Sequence, residues 1–507
     1  MRKSSDDLFQ LIRSLTKSEK RHFKLFVSKY STGESSTYLK LFSAIEKQKM
    51  MDDSVLKKQY GGGHFKVIKN YLYKLILRSL HIDHSDISID SQLGELLHHA
   101  EILYEKALYL QYKKVLSKAK KIAYQYERYT LLPEILRLEK KLMMIVFISD
   151  ISETEISRIV NEERLVSGKL TNINGYWDIF AKSLIHVVKR GKARTSSDIR
   201  DLEKIIANPL MSNKEHANSY DALAYYYFTY GNYYRIKSDF KNCYKYRKEC
   251  VLLMDKHPPQ IAENPNNYIN ALNNFLIICF ELKKYDDIQF YFSKLKTIPV
   301  KSEHTKIHLF RRYYIIGIDL YIETAEFKKG IQLIGEVEQG LLKYKGKINK
   351  FDELGFYFQF VLLYFGSEEY SQALKWLNKF LNDPQTTIRE DIYCYSKILN
   401  LIIHFELNNF DLMEYIIKST YRYLYKKNKL YKFENVILNF LRKKTNNISN
   451  KKELVIALKD LRNELVEIYK DPFESKAFGF LHFLYWLDSK IEKRPFAEIV
   501  KSKALLV

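Results

Sequence analysis

Residues 352–384 constrain the fold more than any other stretch of the chain. The first half of this stretch is apolar on nearly all sides, which predicts a helix that is covered on more than one face. The second half carries apolar residues at helical spacing, and residues 366–369 between the two halves predict a tight turn. One such helix pair cannot bury its own apolar surface. The sequence therefore predicts neighbouring helix pairs of the same kind.

An aromatic residue recurs at each predicted turn between paired helices. Successive members are separated by 45, 42, 43 and 40 positions, and they are Phe240, Tyr285, Phe327, Tyr370 and Phe410. A fixed period of this length is typical of stacked repeats. We therefore expect an all-α fold, a right-handed α-solenoid of antiparallel helix pairs with a small helical N-terminal unit. The 40 Tyr and 30 Phe, against 17 Gly and 9 Pro, also favour long helices over a turn-rich β protein.

The pattern divides the chain into four segments. They are a basic helical unit at 1–84, irregular helix pairs at 90–210, clear repeats at 215–427 and a helical cap at 428–507. Within the second segment, the pattern predicts helices at 92–111, 113–128, 131–148, 153–166, 175–188 and 198–207. End segments that depart from the repeat are expected to seal the ends of a solenoid.

The N-terminal unit is basic, with 17 Lys and Arg against 8 Asp and Glu, a net charge of +9. Thr16 or Ser18 is placed to cap a helix in it. Lys66 and Lys69 share a face of its closing helix. Two interpretations stay open for this unit. It is either a helix-turn-helix or winged arrangement that binds nucleic acid, or a bundle that caps the repeats.

The five units between 220 and 427 resemble tetratricopeptide repeats. The residues that carry the resemblance in two of the units are Tyr227, Tyr230, Gly231, Tyr234, Phe240 and Cys243, and then Tyr370, Ala373, Leu377, Phe380 and Pro384. The chain departs from the family in its period of 40–45 residues, against about 34. It also departs in the small residue of the first helix, which is present only at Gly231.

The resemblance implies a protein-binding superhelix whose groove takes a protein or peptide partner. Some members of the family hold the C-terminal carboxylate of a peptide with Asn and Lys or Arg side chains from successive first helices. Candidate residues for such a groove are Asn232, Arg235, Asn274 and Arg312. Amide and guanidinium groups both donate hydrogen bonds to a carboxylate. Two alternatives stay open: a groove without such a carboxylate-binding site, and a groove that is filled by the chain's own tail at 496–507.

Association with nucleic acid is a second hypothesis. The formal charge is +23, and residues 418–452 hold 11 basic residues and one acid with Tyr and Phe interleaved. The candidate residues for a patch that binds nucleic acid or another anion are Lys426, Lys427, Lys429, Arg442, Lys443 and Lys444. Cations neutralise phosphates while exposed rings stack on bases. The alternative is that the rings belong to the core and the lysines coat a solvated surface, as codon bias towards Lys would also produce.

Common catalytic and metal-binding motifs do not occur in the sequence. The chain has no GxxxxGK[ST], GxSxG or HExxH motif. Its four Cys lack metal-ligand spacing, and the nearby His81, His84, His98 and His99 lack a regular pattern with a carboxylate. The N-terminus has no apolar signal core, and the longest apolar runs are shorter than the ~18 residues of a membrane span. The sequence thus predicts a cytoplasmic, non-catalytic protein without a cofactor.

Overall fold

The computed structural model of this chain describes residues 7–30, 35–48, 50, 52–60, 62–83, 88–146, 152–190, 196–300, 302–427, 429–447, 451–471, 474 and 483–504. Within these ranges the protein is all-α, with no β-strand, which confirms the predicted class. None of the helices described there is both long enough and apolar enough to cross a membrane. The chain divides into two compact units, Met1–Thr171 and Asn172–Val507.

The first unit begins with a five-helix bundle. Its helices are α1 (Asp7–Ser14), α2 (Lys17–Tyr30), α3 (Ser35–Lys47), α4 (Asp53–Tyr60) and α5 (Gly62–Asp83). They enclose their own apolar core, which includes Phe23 and Phe42. Thr16 confirms the predicted cap, because Glu19 N–H donates to Thr16 Oγ1 at 3.2 Å and Thr16 N–H donates to Glu19 Oε2 at 2.6 Å. This reciprocal capping box fixes where α2 begins.

Three further helices and the start of a fourth complete the first unit. They are α6 (Ile89–Glu105), α7 (Tyr109–Gln125), α8 (Leu132–Val146) and the N-terminal part of α9 (Glu153–Arg190). A separate small core around Tyr112 and Leu138 joins α6, α7 and α8, and Tyr112 Oη donates to the Leu138 carbonyl at 2.9 Å. Lys120 on α7 donates to Glu139 and Glu162, both at 2.8 Å, which ties α8 and α9 to it.

Two predictions for the 90–210 segment are wrong. α9 is a single helix of 38 residues, where the sequence predicts separate helices at 153–166 and 175–188. Inside this helix Gly175 is needed for packing, because a Cβ there would lie 2.9 Å from Leu210 Cδ1. The turn predicted near residue 112 lies instead at residues 106–108, where Ala107 has a φ of +56°.

The second unit is built from helix pairs. Its remaining helices are α10 (Ser196–Ile206), α11 (Tyr220–Ile236), α12 (Phe240–Asp255), α13 (Pro258–Glu263), α14 (Pro265–Glu281), α15 (Tyr285–Leu295), α16 (Glu303–Glu323), α17 (Phe327–Gln332), α18 (Ile334–Lys343), α19 (Lys350–Gly366), α20 (Tyr370–Leu381), α21 (Glu390–Glu406), α22 (Phe410–Lys426), α23 (Lys432–Asn447), α24 (Lys451–Tyr469), α25 (Phe483–Glu492) and α26 (Phe496–Ala504). Short 3₁₀ turns occur at Pro209–Met211, Lys214–His216 and Thr386–Arg389.

Each predicted turn aromatic begins the second helix of a pair. The first helices α11, α14, α16, α19 and α21 pack on the second helices α12, α15, α17, α20 and α22, respectively. Neighbouring pairs touch through α14 with α16 and α16 with α19, and through α12 with α14 and α20 with α21. α19 lies in the middle of this succession, and 12 of its 17 residues are buried. The pair predicted at 352–384 is confirmed.

One backbone turn joins the helices of every such pair. The residue two positions before the turn aromatic has a left-handed φ of +52° to +63° in all five pairs, and these residues are Ser238, Lys283, Ala325, Glu368 and Asn408. The next N–H closes the end of the first helix, as Glu369 N–H does to the Tyr364 carbonyl at 2.9 Å. This bond is the 6→1 bond of the Schellman motif. Ala107 and Glu127 show the same turn in the first unit, before Tyr109 and Tyr129.

The last two helices fold back onto the turns of earlier pairs. The ring of Phe496 lies 5.8 Å from the rings of both Phe327 and Phe365, and its N–H donates to Glu368 Oε1 at 3.2 Å. On α25, Lys490 pairs with Glu406 at 2.7 Å, and Trp486 Nε1 donates to the same carboxylate. The start of the tail at 496–507 therefore packs at the turns between paired helices.

Candidate functional site

A row of polar side chains crosses three successive first helices, α14, α16 and α19. We call it the polar row, and it consists of Asn266 and Asn270 on α14, His304, His308, Arg311, Arg312 and Asp319 on α16, and Asp352 and Gln359 on α19. Most of these side chains are partly exposed, whereas Asp352 and Gln359 are buried. Because Asn349 caps α19 by accepting from Asp352 N–H at 2.8 Å, the Asp352 carboxylate is fixed in the first turn of that helix.

Hydrogen bonds join the polar row from helix to helix. Asn266 Nδ2 lies 3.0 Å from His304 Nδ1, and His308 Nε2 lies 3.0 Å from Asn270 Oδ1, so α14 and α16 are linked twice. Gln359 Nε2 donates to Asp319 Oδ1 at 2.6 Å and to the Ile315 carbonyl at 2.9 Å, which links α19 to α16. Each bond between α14 and α16 joins two residues that are 38 positions apart in sequence. The bonds from Gln359 join residues that are 40 and 44 positions apart.

Charge is concentrated where α16 meets α19. Asp352 is 4% exposed and pairs with Arg311, and Arg312 Nη1 lies 3.9 Å from its other oxygen. Burial lowers the pKa of Arg312. Burial, followed by the charges of Arg312 and Arg311, lowers the pKa of His308 to about 4. His308 is therefore neutral at pH 7, and its imidazole acts as a hydrogen-bonding group rather than a cation.

Asp319 is the most perturbed carboxyl group of the polar row. Burial is the main cause that raises its pKa to about 7; the hydrogen bond from Gln359 opposes this shift, and the nearby charge of Glu323 adds to it. At neutral pH the carboxyl group is poised between its two protonation states. It can therefore accept hydrogen bonds as a carboxylate or donate one as an acid.

Several atoms of the polar row have spare hydrogen-bonding capacity. Arg311 Nε, Arg312 Nε, Asn266 Oδ1 and Gln359 Oε1 are buried without a hydrogen-bond partner among the described residues. Two of these atoms are donors and two are acceptors. Buried polar atoms of this kind cost free energy unless a partner satisfies them. These four atoms are shielded from solvent, so the groups of the polar row that are open to a partner are its exposed and partly exposed side chains, such as His304, Asn270 and Arg312.

Three of the four residues predicted for a peptide groove lie outside the polar row. Asn232 is 6% exposed and its amide donates to Ser183 Oγ at 3.1 Å, so it is used inside the protein. The Asn274 carbonyl accepts from the buried Arg247 at 2.6 Å. Arg235 is partly buried in the last turn of α11. Only Arg312 belongs to the polar row, where Asp352 lies beside it.

The basic residues predicted on α5 do not form one cationic face. Lys69 is 14% exposed and pairs with Asp53 on α4 at 3.1 Å, whereas Lys66 is exposed. The cationic face of this bundle lies on α2, where four basic residues and Glu46 surround an open depression of about 400 Å³. The four residues are Lys17, Lys20, Arg21 and Lys24. Their spacing of i, i+3, i+4 and i+7 is the signal in the sequence that would have identified them.

The basic segment near the C-terminus is split between core and surface. Phe433 is buried and Tyr423 is partly buried against Tyr393, whereas Tyr421 and Tyr425 are exposed. Lys427 pairs with Glu390 at 3.0 Å. Lys426 and Arg442 are exposed, and Lys429 is partly buried. The side chains of Lys443 and Lys444 lie outside the described part of the structure.

The remaining candidates for chemistry have structural partners. His98 and His99 lie 3.5 Å and 3.7 Å from glutamates on their own helix, and His81 is exposed, while His84 falls outside the described residues. Among the residues with described positions, no group of three or more His, Cys, Asp or Glu could hold a metal ion. Burial raises the pKa of Cys250 and of Cys279 to about 12, so both thiols stay protonated.

Comparison of the chain with known protein families, curated proteins and solved structures finds no match. Its function is therefore inferred from the arrangement of its own residues. Three surfaces combine placement with available chemistry: the polar row, the cationic face of α2 and the exposed face of α22.

Proposed function

We propose that this protein is a non-catalytic interaction scaffold whose polar row holds an extended segment of a protein partner. Its helix pairs are proposed to form a right-handed solenoid similar to tetratricopeptide repeats. The four free thiols suit a reducing, cytoplasmic setting. The protein is proposed to need no cofactor.

The recurring turn supports the repeat architecture. Five successive helix pairs share the left-handed residue, the closing hydrogen bond and the aromatic residue that follows. Contacts between neighbouring first helices continue from α14 through α16 to α19. Units that repeat one backbone turn and pack mainly on their neighbours are typical of solenoids.

The exposed and partly exposed polar side chains on successive first helices are the observation that carries the proposed function. An extended peptide presents alternating N–H and C=O groups, and it gains affinity by pairing both kinds. On α14 and α16 the polar row offers amide, imidazole and guanidinium groups that solvent reaches. Its carboxylates and guanidiniums provide charges of both signs, which would set the orientation of the segment.

A matched pair of double variants tests this proposal. Asn266→Ala with His304→Ala removes both partners of an exposed hydrogen bond of the polar row, so the fold should be little affected. Phe290→Ala with Lys296→Ala changes two exposed residues, one in the middle of α15 and one at its C-cap. Partners captured from native extract by the wild type, with nuclease present, are identified and their affinities measured.

We expect the variant of the polar row to lose those partners while the α15 variant retains them. Equal retention by both variants would show that the polar row does not bind them. Circular dichroism of each variant confirms that its helix content is unchanged.

Association with nucleic acid is the second candidate function, and the cationic face of α2 favours it. Glu46 pairs with Lys20 at 3.0 Å and with Lys24 at 3.5 Å, so one acid faces four basic residues around the depression. Binding of duplex DNA through this face should weaken steeply with salt. Arg21→Ala with Lys17→Ala should reduce the slope of log affinity against log salt by about 1.8. An unchanged slope would exclude the face as the binding surface.

A further inference from the structure

α22 exposes three tyrosines, two of which, Tyr421 and Tyr425, lie one turn apart on the same face. Tyr415, Tyr421 and Tyr425 are 74%, 45% and 68% exposed. The rings of Tyr421 and Tyr425 are parallel within 10°, with centroids 6.1 Å apart. Both rings therefore stand side by side on the surface and leave much of their area open to solvent.

Basic residues alternate with these rings. Lys418, Arg422 and Lys426 follow one another at intervals of four residues, so they lie on the same side of the helix, about 6 Å apart along its axis. Lys418 donates to Glu414, whereas Arg422 and Lys426 have no ion-pair partner within the described ranges. We call these six residues the α22 stripe: Tyr415, Lys418, Tyr421, Arg422, Tyr425 and Lys426.

A further basic residue reaches the same surface from α23. The hydrogen bond and charge of Lys418 lower the pKa of Glu414, and the charge of Arg442 lowers it as well. Arg442 therefore lies near enough to Glu414 to act on it. The acids that face this end of the stripe are Glu414 and Asp411, and basic residues outnumber acids along the rest of it.

The chemistry of the α22 stripe selects among classes of partner. A membrane-binding helix inserts Leu, Phe or Trp into lipid, whereas the rings here carry phenolic hydroxyls and alternate with cations. Duplex nucleic acid offers phosphates but keeps its bases stacked inside, so the rings would remain unused. A single strand offers both phosphates for the cations and open base faces for the rings.

We propose that the α22 stripe is a binding site for single-stranded nucleic acid, in which Tyr421 and Tyr425 stack on bases and Arg422 and Lys426 neutralise phosphates. The site is independent of the polar row and of α2. It tolerates any base sequence, because every base presents a ring face. It adds a nucleic-acid ligand to the protein ligand of the scaffold.

Fluorescence anisotropy with a labelled 20-nucleotide oligo(dT) tests the proposal on the full-length protein. Tyr421→Ala with Tyr425→Ala should weaken binding by about tenfold or more, as the loss of ring stacking predicts. Arg422→Ala with Lys426→Ala should lower the slope of log affinity against log salt by about 1.4. Tyr421→Phe with Tyr425→Phe keeps the rings and should bind as the wild type does.

Two control variants remove matched groups elsewhere in the same unit. Phe290→Ala removes an exposed ring from α15, and Lys256→Ala with Lys306→Ala removes two exposed cations. Both should leave the affinity for oligo(dT) within about twofold. Equal losses in the controls and the stripe variants would show that binding does not depend on the α22 stripe and would overturn the proposal.

Three other outcomes would also overturn it. One is the absence of binding to oligo(dT) at low salt. Another is binding of phosphatidylserine vesicles, without oligo(dT), that depends on Tyr421 and Tyr425. The third is self-association in sedimentation experiments that Tyr421→Ala with Tyr425→Ala abolishes while oligo(dT) still does not bind.

Discussion

Replacing Gly366 by alanine tests how neighbouring helix pairs fit together. A Cβ at Gly366 would lie 2.2, 2.3 and 2.5 Å from three ring carbons of Phe327, the turn aromatic of the preceding pair. Carbon atoms in ordinary contact are about 3.5–4.0 Å apart, so the ring would have to move by more than about 1 Å. Phe327 is 4% exposed and its ring lies against that of Phe496, which restricts such a movement.

Two opposing contributions set the size of the effect. Overpacking a dense core lowers the free energy of unfolding by about 1–3 kcal/mol. The better helix propensity of alanine offsets at most about 1 kcal/mol of that loss at this helix end. We expect Gly366→Ala to lower the free energy of unfolding by about 1–2 kcal/mol. Gly335→Ala is the control, because no atom lies within 4 Å of the Cβ it would add. It should be neutral or stabilising by up to about 1 kcal/mol.

Urea denaturation followed by far-ultraviolet circular dichroism measures both variants. A third variant, Gly366→Ala with Phe327→Leu, should cost less than the sum of its two single changes, since the smaller side chain leaves room for the methyl group. If Gly366→Ala proved as harmless as Gly335→Ala, Phe327 would not pack on Gly366 as described. The turn aromatic would then not set the fit between neighbouring pairs.

Three further predictions concern the turns and the polar row, and urea denaturation measures each. Lys283→Gly should stabilise by up to about 1 kcal/mol, because φ is +52° there, whereas Lys245→Gly inside α12 should cost about 1 kcal/mol. Asp352→Ala should cost about 3 kcal/mol, because two largely buried guanidiniums lose their carboxylate, and Asp352→Asn should cost less. The pKa of Asp319 is raised to about 7 in the folded protein, above its unfolded value near 3.9, so folding favours the protonated carboxyl group. The free energy of unfolding should therefore fall as pH rises from about 4 to 7, and Asp319→Asn should remove that fall.

The helix pairs could be predicted from the sequence because their apolar residues keep helical spacing around a repeated turn aromatic. The left-handed residues in those turns could not, since Ser238, Lys283, Ala325 and Glu368 are not the glycine that usually marks such a position. The break predicted between 166 and 175 is the opposite error, because Gly168 and Gly175 lie inside one continuous helix. At Gly175 the absence of a side chain serves packing against Leu210.

The candidate sites were harder to predict because burial depends on neighbouring pairs. Asn232 lies on α11, where aromatic residues occur on all sides, so the period gives no sign of which face is buried. The polar row could have been found by aligning the repeats, since the 42 positions between Tyr285 and Phe327 also separate Asn266 from His308 and Asn270 from Arg312. Tyr421 and Phe433 lie in the same basic segment, yet Tyr421 is exposed and Phe433 is buried. Only the three-dimensional structure shows which of the two rings faces solvent.

Site-specific photo-cross-linking tests the central claim, which is that the polar row holds a segment of a protein partner. A photoreactive residue is placed at His304 in the polar row, and separately at Phe290 and at Tyr415, which are exposed on α15 and α22. After irradiation in native extract with nuclease, the cross-linked partner and its attached peptide are identified by mass spectrometry. The account predicts that one partner is attached from His304 and not from Phe290 or Tyr415. Attachment of a protein partner from Phe290 or Tyr415, with no partner attached from His304, would contradict it.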